Sequence, residues 1–254
     1  MYGNCQIIIA INSYLEYLCI YDITLLSSFN MIYNNKILDL ELFENCDIFI
    51  YQPIDDRYNI YSSNNLLKYL NNDCIKIGIP YIYMDSFFPL IKKLNFHGID
   101  GGIIQNENNI LNKNIILNLK KKYTNEEIII LYNNNNIDFN FKERFDENIN
   151  RMKEKEKICN IKVVDFILDN YCNNLLFTMH HHPTKIIFDY IALQIYKLLN
   201  INNNINENKW NGILSSEEYP YSRYSINYYN FKWISNEDIN TNDYYLNLIK
   251  EILF

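Results

Sequence analysis

Glycine and proline are scarce, at 6 and 5 among 254 residues, which excludes collagen-like and Pro/Gly-rich disordered chains. Lys and Arg number 23 against 30 Asp and Glu, for a formal net charge of −7. No basic excess is on hand to neutralise phosphates, so a general nucleic-acid binder is excluded. No apolar run reaches the ~18–20 residues that a membrane span needs. No basic segment leads into an apolar stretch and a small-residue cleavage site, so no secretory signal peptide is expected. A cytoplasmic location is expected instead, the host cytoplasm if the source is a virus. The 6 Cys contain no CxxC pair. Neither a zinc signature nor a disulfide framework is therefore expected. Cys19, Cys46, Cys74 and Cys172 lie in apolar stretches and are expected to be small buried hydrophobes.

What is present supports a folded enzyme-sized chain. It is 48% hydrophobic and 21% charged, enough to build a substantial core. Asn makes up roughly one residue in six, far above ordinary usage, and there are 23 Tyr. Codon bias in an AT-rich genome explains both. Asn runs such as Asn133–Asn136 and Asn202–Asn204 then mark permissive loops. No linker divides the chain and no repeat is visible, so one domain over 1–254 is expected, with a C-terminal elaboration from about 200.

Hydrophobic spacing predicts a helix over Gln6–Cys19, where Ile8, Ile11, Leu15 and Leu18 recur at helical intervals. Strands are predicted near Ile23–Leu26, over Cys46–Tyr51 and over Cys74–Ile79, and a short one over Leu175–Met179. Further helices are predicted from Ser62 or Ser63 to Leu70, over Ile110–Lys122, Phe141–Lys157 and Val163–Tyr171, from Thr184 to Leu199, and from about Asp243 to Ile252. The alternation implies an α/β fold: a mainly parallel sheet flanked by helices, with an extra helical elaboration.

Three clusters of residues can carry chemistry. Gly3-Asn4-Cys5-Gln6 stands directly before the first helix. Gly3 permits a tight turn. At a helix entrance, free N–H groups and the positive dipole end favour a thiolate at Cys5 or hold an oxyanion. A nucleophile there follows the logic of a nucleophile elbow, with Cys in place of Ser; a buried structural thiol is the alternative. The second cluster is His180-His181-His182-Pro183. Consecutive side chains of an extended segment point to opposite faces, so the three are not expected to converge on a metal. One His at a strand's carboxyl end suits a general base, and ligands of open α/β sheets sit there. His97, beside Gly98, reads as a surface residue. The third cluster follows a buried strand: Gln52, Pro53, Ile54, Asp55, Asp56, Arg57 and Tyr58. Arg57 can hold a phosphate or carboxylate, or pair with Asp55 or Asp56 at the surface. In the next loop, Tyr81, Tyr83 and Phe87, with Asp85, can line a pocket for a sugar or an adenine ring, or belong to the core.

Four ordered segments carry a resemblance. They are Tyr2-Gly3-Asn4-Cys5-Gln6; Ile50-Tyr51-Gln52-Pro53 with Arg57-Tyr58; Ile79-Pro80-Tyr81-Ile82-Tyr83; and Asp165-Phe166 through Leu176-Phe177-Thr178-Met179 to His182-Pro183-Thr184. Over about residues 2–200 the chain resembles the WcbI family of polysaccharide-biosynthesis acetyltransferases, which bind coenzyme A and have an active site likened to SGNH hydrolases. The resemblance implies an SGNH/Rossmann-like three-layer core. It also implies Cys5 in the nucleophile turn, His182 as its basic partner, and Asn4, Gln6 and Gly3 positioning substrate or oxyanion. Gln52, Arg57, Tyr58, Tyr83, Asp85, His181 and Lys185 become candidates for holding substrate or CoA. Acetyl-CoA is the implied acyl donor and a sugar the implied acceptor, in a polysaccharide or linked to a nucleotide. Where the family usually has Asn before the His-Pro pair, this chain has His181. Asp165 and Asp169 are candidates for orienting His182. An esterase or thioesterase using the same Cys–His pair, and a noncatalytic sugar- or nucleotide-binding module, stay open. So do covalent against direct transfer and a homo-oligomer.

Overall fold

The computed structural model describes residues 1–91, 113–202, 205, 208, 210–214, 218–235 and 244–254. His97, Gly98 and the expected helix starts at Ile110 and Asp243 lie outside the described residues.

Four short strands form one parallel sheet: β1 (Tyr2–Gly3), β2 (Leu26–Ser27), β3 (Ile48–Tyr51) and β4 (Ile75–Gly78). Their order is β2-β1-β3-β4. Tyr2 pairs with Leu26 on one side and Tyr51 on the other, and Tyr51 in turn pairs with Gly78. The strand expected near Ile23 is displaced to Leu26–Ser27. The chain leaves β1 for one edge of the sheet and returns at β3 for the other. A crevice therefore opens at the carboxyl ends of β1 and β3, where doubly wound sheets bind ligands.

Side chains alternate across β3 and divide the interior. Ile50 joins Ile77 in the larger core, while Phe49 and Tyr51 join Tyr2 and Leu66 in a smaller core on the other face. Helices cover both faces. A π-helical stretch, Gln6–Ile11, leads into α1 (Asn12–Glu16), so the predicted first helix begins with wider turns. Such turns often mark functional sites. α2 (Ser28–Tyr33), α3 (Glu41–Glu44) and α4 (Ser63–Leu66) follow. Ser62 caps α4 as its sequence predicts, accepting the Asn65 N–H at 3.2 Å.

The remaining helices are α5 (Lys113–Leu119), α6 (Asn125–Asn133), α7 (Phe141–Glu156), α8 (Val164–Asn170), α9 (Lys185–Leu198), α10 (Arg223–Tyr229) and α11 (Tyr244–Leu253). α6 starts with a capping box between Thr124 and Glu127. Between α8 and α9, β5 (Phe177–Met179) and β6 (His182–Pro183) form an antiparallel hairpin. Phe87 belongs wholly to the core: the rings of Tyr229 and Phe231 lie 4.9 and 5.2 Å from its own. Of the four cysteines expected to be buried, only Cys74 is; Cys46 and Cys172 are half-buried and Cys19 is exposed. Cys19 follows the end of α1 at a φ of 52°, where the chain turns outward.

Candidate active site

The site grows from the turn after β1. Gly3 is required there by close approach. A Cβ on it would lie 2.6 Å from Ile7 Cγ1 and 3.0 Å from Gln52 Oε1. Asn4 closes the turn on itself, its Oδ1 accepting the Gln6 N–H at 2.9 Å. The Asn4 N–H donates to Gln52 Oε1 at 3.0 Å, which ties β1 to the loop after β3.

Gln6 is 2% exposed. Its Nε2 donates to the Ile82 carbonyl at 2.8 Å and to the His181 carbonyl at 2.9 Å. Its Oε1 accepts from the Ile82 N–H at 3.2 Å and from Gln52 Nε2 at 3.1 Å. One amide thus joins the β1 turn, the loops after β3 and β4, and the β5–β6 hairpin. With both amide hydrogens and both lone-pair positions engaged, Gln6 is a brace. Gln52 shares this bracing role through its own amide. These ties hold the turn that carries Cys5 against the hairpin that carries His182. The tie uses the His181 main-chain carbonyl, so His in place of the family's Asn leaves it intact.

Cys5 caps the π-helical stretch and is half-buried. Burial raises its thiol pKa, and this outweighs the hydrogen bonds from the Gln6 and Cys5 N–H groups that favour the thiolate. The helix entrance alone predicts the opposite sign; burial reverses it. His182 is 7% exposed, and burial lowers its pKa to about 4. At neutral pH the site therefore holds a protonated thiol and a neutral imidazole.

The three histidines do gather, contrary to the alternation expected of an extended segment. His180 and His181 form the hairpin turn. Ring centroids are 4.2 Å apart for His180–His181 and 4.1 Å for His181–His182, and His181 Nδ1 lies 2.9 Å from His180 Nε2. Burial, and then the neighbouring imidazoles, hold the His181 pKa well below its usual value. Among the described residues no group of three or more His, Cys, Asp or Glu side chains is set to hold a metal ion.

The other candidates fall elsewhere. Arg57 and Asp55 form an exposed two-point ion pair, with Nε–Oδ1 at 3.0 Å and a second contact to Oδ2 at 3.2 Å. That pairing holds the Asp55 carboxyl below its ordinary value. Tyr58 packs against the smaller core with a buried hydroxyl. Lys185 pairs with Asp189 at 2.5 Å and sits over the Tyr14 ring. The Tyr83 hydroxyl donates to Asp85 Oδ2 at 3.0 Å. Asp85 also faces Arg144 at 3.8 Å, and Arg144 donates to the carbonyls of Pro89 (2.8 Å) and Phe88 (3.0 Å). Asp85 and Tyr83 thus belong to a buried clamp that shapes the loop after β4. Asp165 and Asp169 are exposed on α8.

Sequence reading missed three elements here: the Gln52 brace, the Arg144 clamp, and Lys155 at 5.4 Å over the ring of buried Tyr81. Arg144 and Lys155 stand in a charged helical run that reads as solvated. In the structure Arg144 shares a buried stripe of α7 with Asn148, Met152 and Glu156 at four-residue intervals.

A parallel α/β sheet with a cysteine turn and a histidine hairpin meeting at its switch point defines a class of enzyme-like folds. The family model of the polysaccharide biosynthesis enzyme WcbI matches residues 1–204, and the chain belongs to that family. A solved structure of WcbI is similar, with a TM-score of 0.72 over 99% of this chain and 87% of that one, at 16% sequence identity. That structure is described as the native protein without a disulfide bond between coenzyme A and a cysteine. No curated protein matches the chain.

Proposed function

We propose that the chain is an acetyl-CoA-dependent acyltransferase that modifies a sugar in glycan biosynthesis, with 1–254 acting as one unit. The observation that carries this reading is the Gln6–His181 bond, which holds the Cys5 turn against the His182 hairpin. The WcbI structure, described as the native protein without a disulfide bond between coenzyme A and a cysteine, supports coenzyme A as the carrier of the acyl group.

The proposed transfer runs through Cys5. As the thiol attacks the thioester, its proton passes to neutral His182; the C–S bond to CoA breaks, the CoA thiolate leaves with that proton from His182, and the acyl group stays on the Cys5 sulfur. His182, neutral again, then removes a proton from the acceptor hydroxyl or amine, which takes the acyl group as the bond to Cys5 breaks, and the proton returns from His182 to the Cys5 sulfur. A thiol kept protonated until substrate arrives is guarded against stray oxidation and alkylation. No helix among the described residues is long and apolar enough to cross a membrane.

The test is a calorimetric titration of CoA and acetyl-CoA into the purified chain, with Cys5→Ala and His182→Ala alongside. Saturable binding by the wild type, followed by sugar-dependent turnover that both variants lose, is expected. A folded wild type that binds neither ligand at millimolar concentration overturns the reading. Turnover of acetyl-CoA with no need for a sugar makes the protein a thioesterase.

A further inference from the structure

The cysteine turn and the histidine hairpin use one end of the sheet, and the other end carries a cavity. Its volume is about 570 Å³, a size that suits a small organic ligand. The walls come from Met1, the loop 20–24 and the segment 39–47, which lead into β1, β2 and β3. The cavity therefore lies at the amino ends of these strands, away from Cys5, which follows the carboxyl end of β1.

The walls are of two kinds. Ile23, Leu26 and Ile48 offer half-buried apolar surface, and Ile20 and Leu42 are exposed beside them. Four exposed carboxylates also line the cavity: Asp22 ahead of β2, and Asp39, Glu41 and Asp47 ahead of β3. Because β1 lies between β2 and β3, Asp22 and Asp47 reach the cavity from opposite sides of it. No Lys, Arg or His side chain is in the lining. Among the described residues none of the four carboxylates is in an ion pair. The amine of Met1 is turned onto the Thr24 carbonyl at 2.6 Å. α9 also ends here, with its C-cap Leu199 in the wall, so the negative end of its dipole adds to the same field.

We propose that this cavity binds an aliphatic polyamine, with its ammonium groups among the carboxylates and its methylene spacers on the apolar wall. Several ammonium groups on one chain match carboxylates that stand on two sides of the cavity. A single-headed amine reaches one side only. Methylene spacers cover the apolar wall as a lysine stem covers apolar surface below its charged head. A hydrated Mg²⁺, which gives up its waters reluctantly, gains nothing from that wall. The inference does not rest on the acyl-transfer reading, because no residue of the cavity belongs to the Cys5–His182 site.

The test is a calorimetric titration of spermidine into the full chain at low ionic strength. Two variants with the same change in net charge stand beside the wild type: Asp22→Asn with Asp47→Asn in the cavity, and Asp165→Asn with Asp169→Asn on exposed α8. One saturable site is expected in the wild type and the α8 variant. In the cavity variant the affinity should fall by about tenfold, as the loss of two exposed charge pairs implies. Replacing NaCl by MgCl₂ at equal ionic strength should change the wild-type affinity by less than about threefold, since the screening is then the same. Absence of saturable binding overturns the inference. Equal weakening in both variants also overturns it, because net charge alone then holds the ligand. Displacement of spermidine by Mg²⁺ does so too, because the carboxylates then take any polyvalent cation and the apolar wall has no part.

Discussion

The side chain of Gln6 and the main chain of His181, 175 residues apart, meet in a 2.9 Å hydrogen bond. The bond joins the turn after the first strand to the β5–β6 hairpin. Gln6→Leu removes all four bonds of the amide and orphans the buried Ile82 N–H and carbonyl. Each orphaned group costs about 1–3 kcal/mol. The variant is expected to lose several kcal/mol in urea unfolding, with faster amide exchange in the β5–β6 hairpin. An unchanged midpoint and unchanged hairpin exchange would remove the brace from the account.

Gly3→Ala places a methyl group 2.6 Å from Ile7 Cγ1. Relief requires the turn or Gln52 to move. A loss of about 1–3 kcal/mol, the usual cost of overpacking, is expected in denaturant unfolding, together with altered Cys5 alkylation kinetics.

The titrations of His182 and Cys5 bracket the stable pH range. The folded His182 pKa lies at about 4, below its ordinary 6.5. Between those values the unfolded chain binds the extra proton, so stability is fully present above 6.5 and is lost as pH falls toward 4. Two and a half pKa units correspond to about 3 kcal/mol. His182→Gln is expected to flatten this part of the stability profile. The Cys5 shift has the opposite sign. Its contribution is present below the ordinary thiol value of 9.0 and is lost as pH rises through the folded value. Iodoacetamide should therefore modify Cys5 slowly at pH 7 and quickly only above about pH 9. Rapid modification at pH 7 would contradict the half-buried, protonated thiol.

Arg144→Met leaves Asp85 buried beside Tyr83 without its cation, and strips donors from the Phe88 and Pro89 carbonyls. Breaking a buried pair from one side costs about 3–5 kcal/mol, which thermal unfolding measures. Adding Asp85→Asn is expected to recover part of that loss. Arg57→Ala, at an exposed pair, should change stability by less than about 1 kcal/mol.

The amino-acid sequence by itself determined the α/β class, the position of most elements and the two segments, around Cys5 and His182, that the fold ties together. Those features are local. Apolar runs bounded by Pro, a capping Ser at 62, and a glycine before a helix all act within a few residues. Tertiary structure alone decided what the polar residues around them do. Gln6, Gln52 and Asp85 read as substrate-binding candidates, because a polar side chain in a loop carries no mark of its partner. Burial then turned their hydrogen-bonding groups inward, onto carbonyls, amides and Arg144. The same burial reversed the expected ionisation of Cys5, since desolvation outweighed the amides at the helix entrance. It also gathered the three histidines, because a hairpin turn replaced the extended segment that would have separated them.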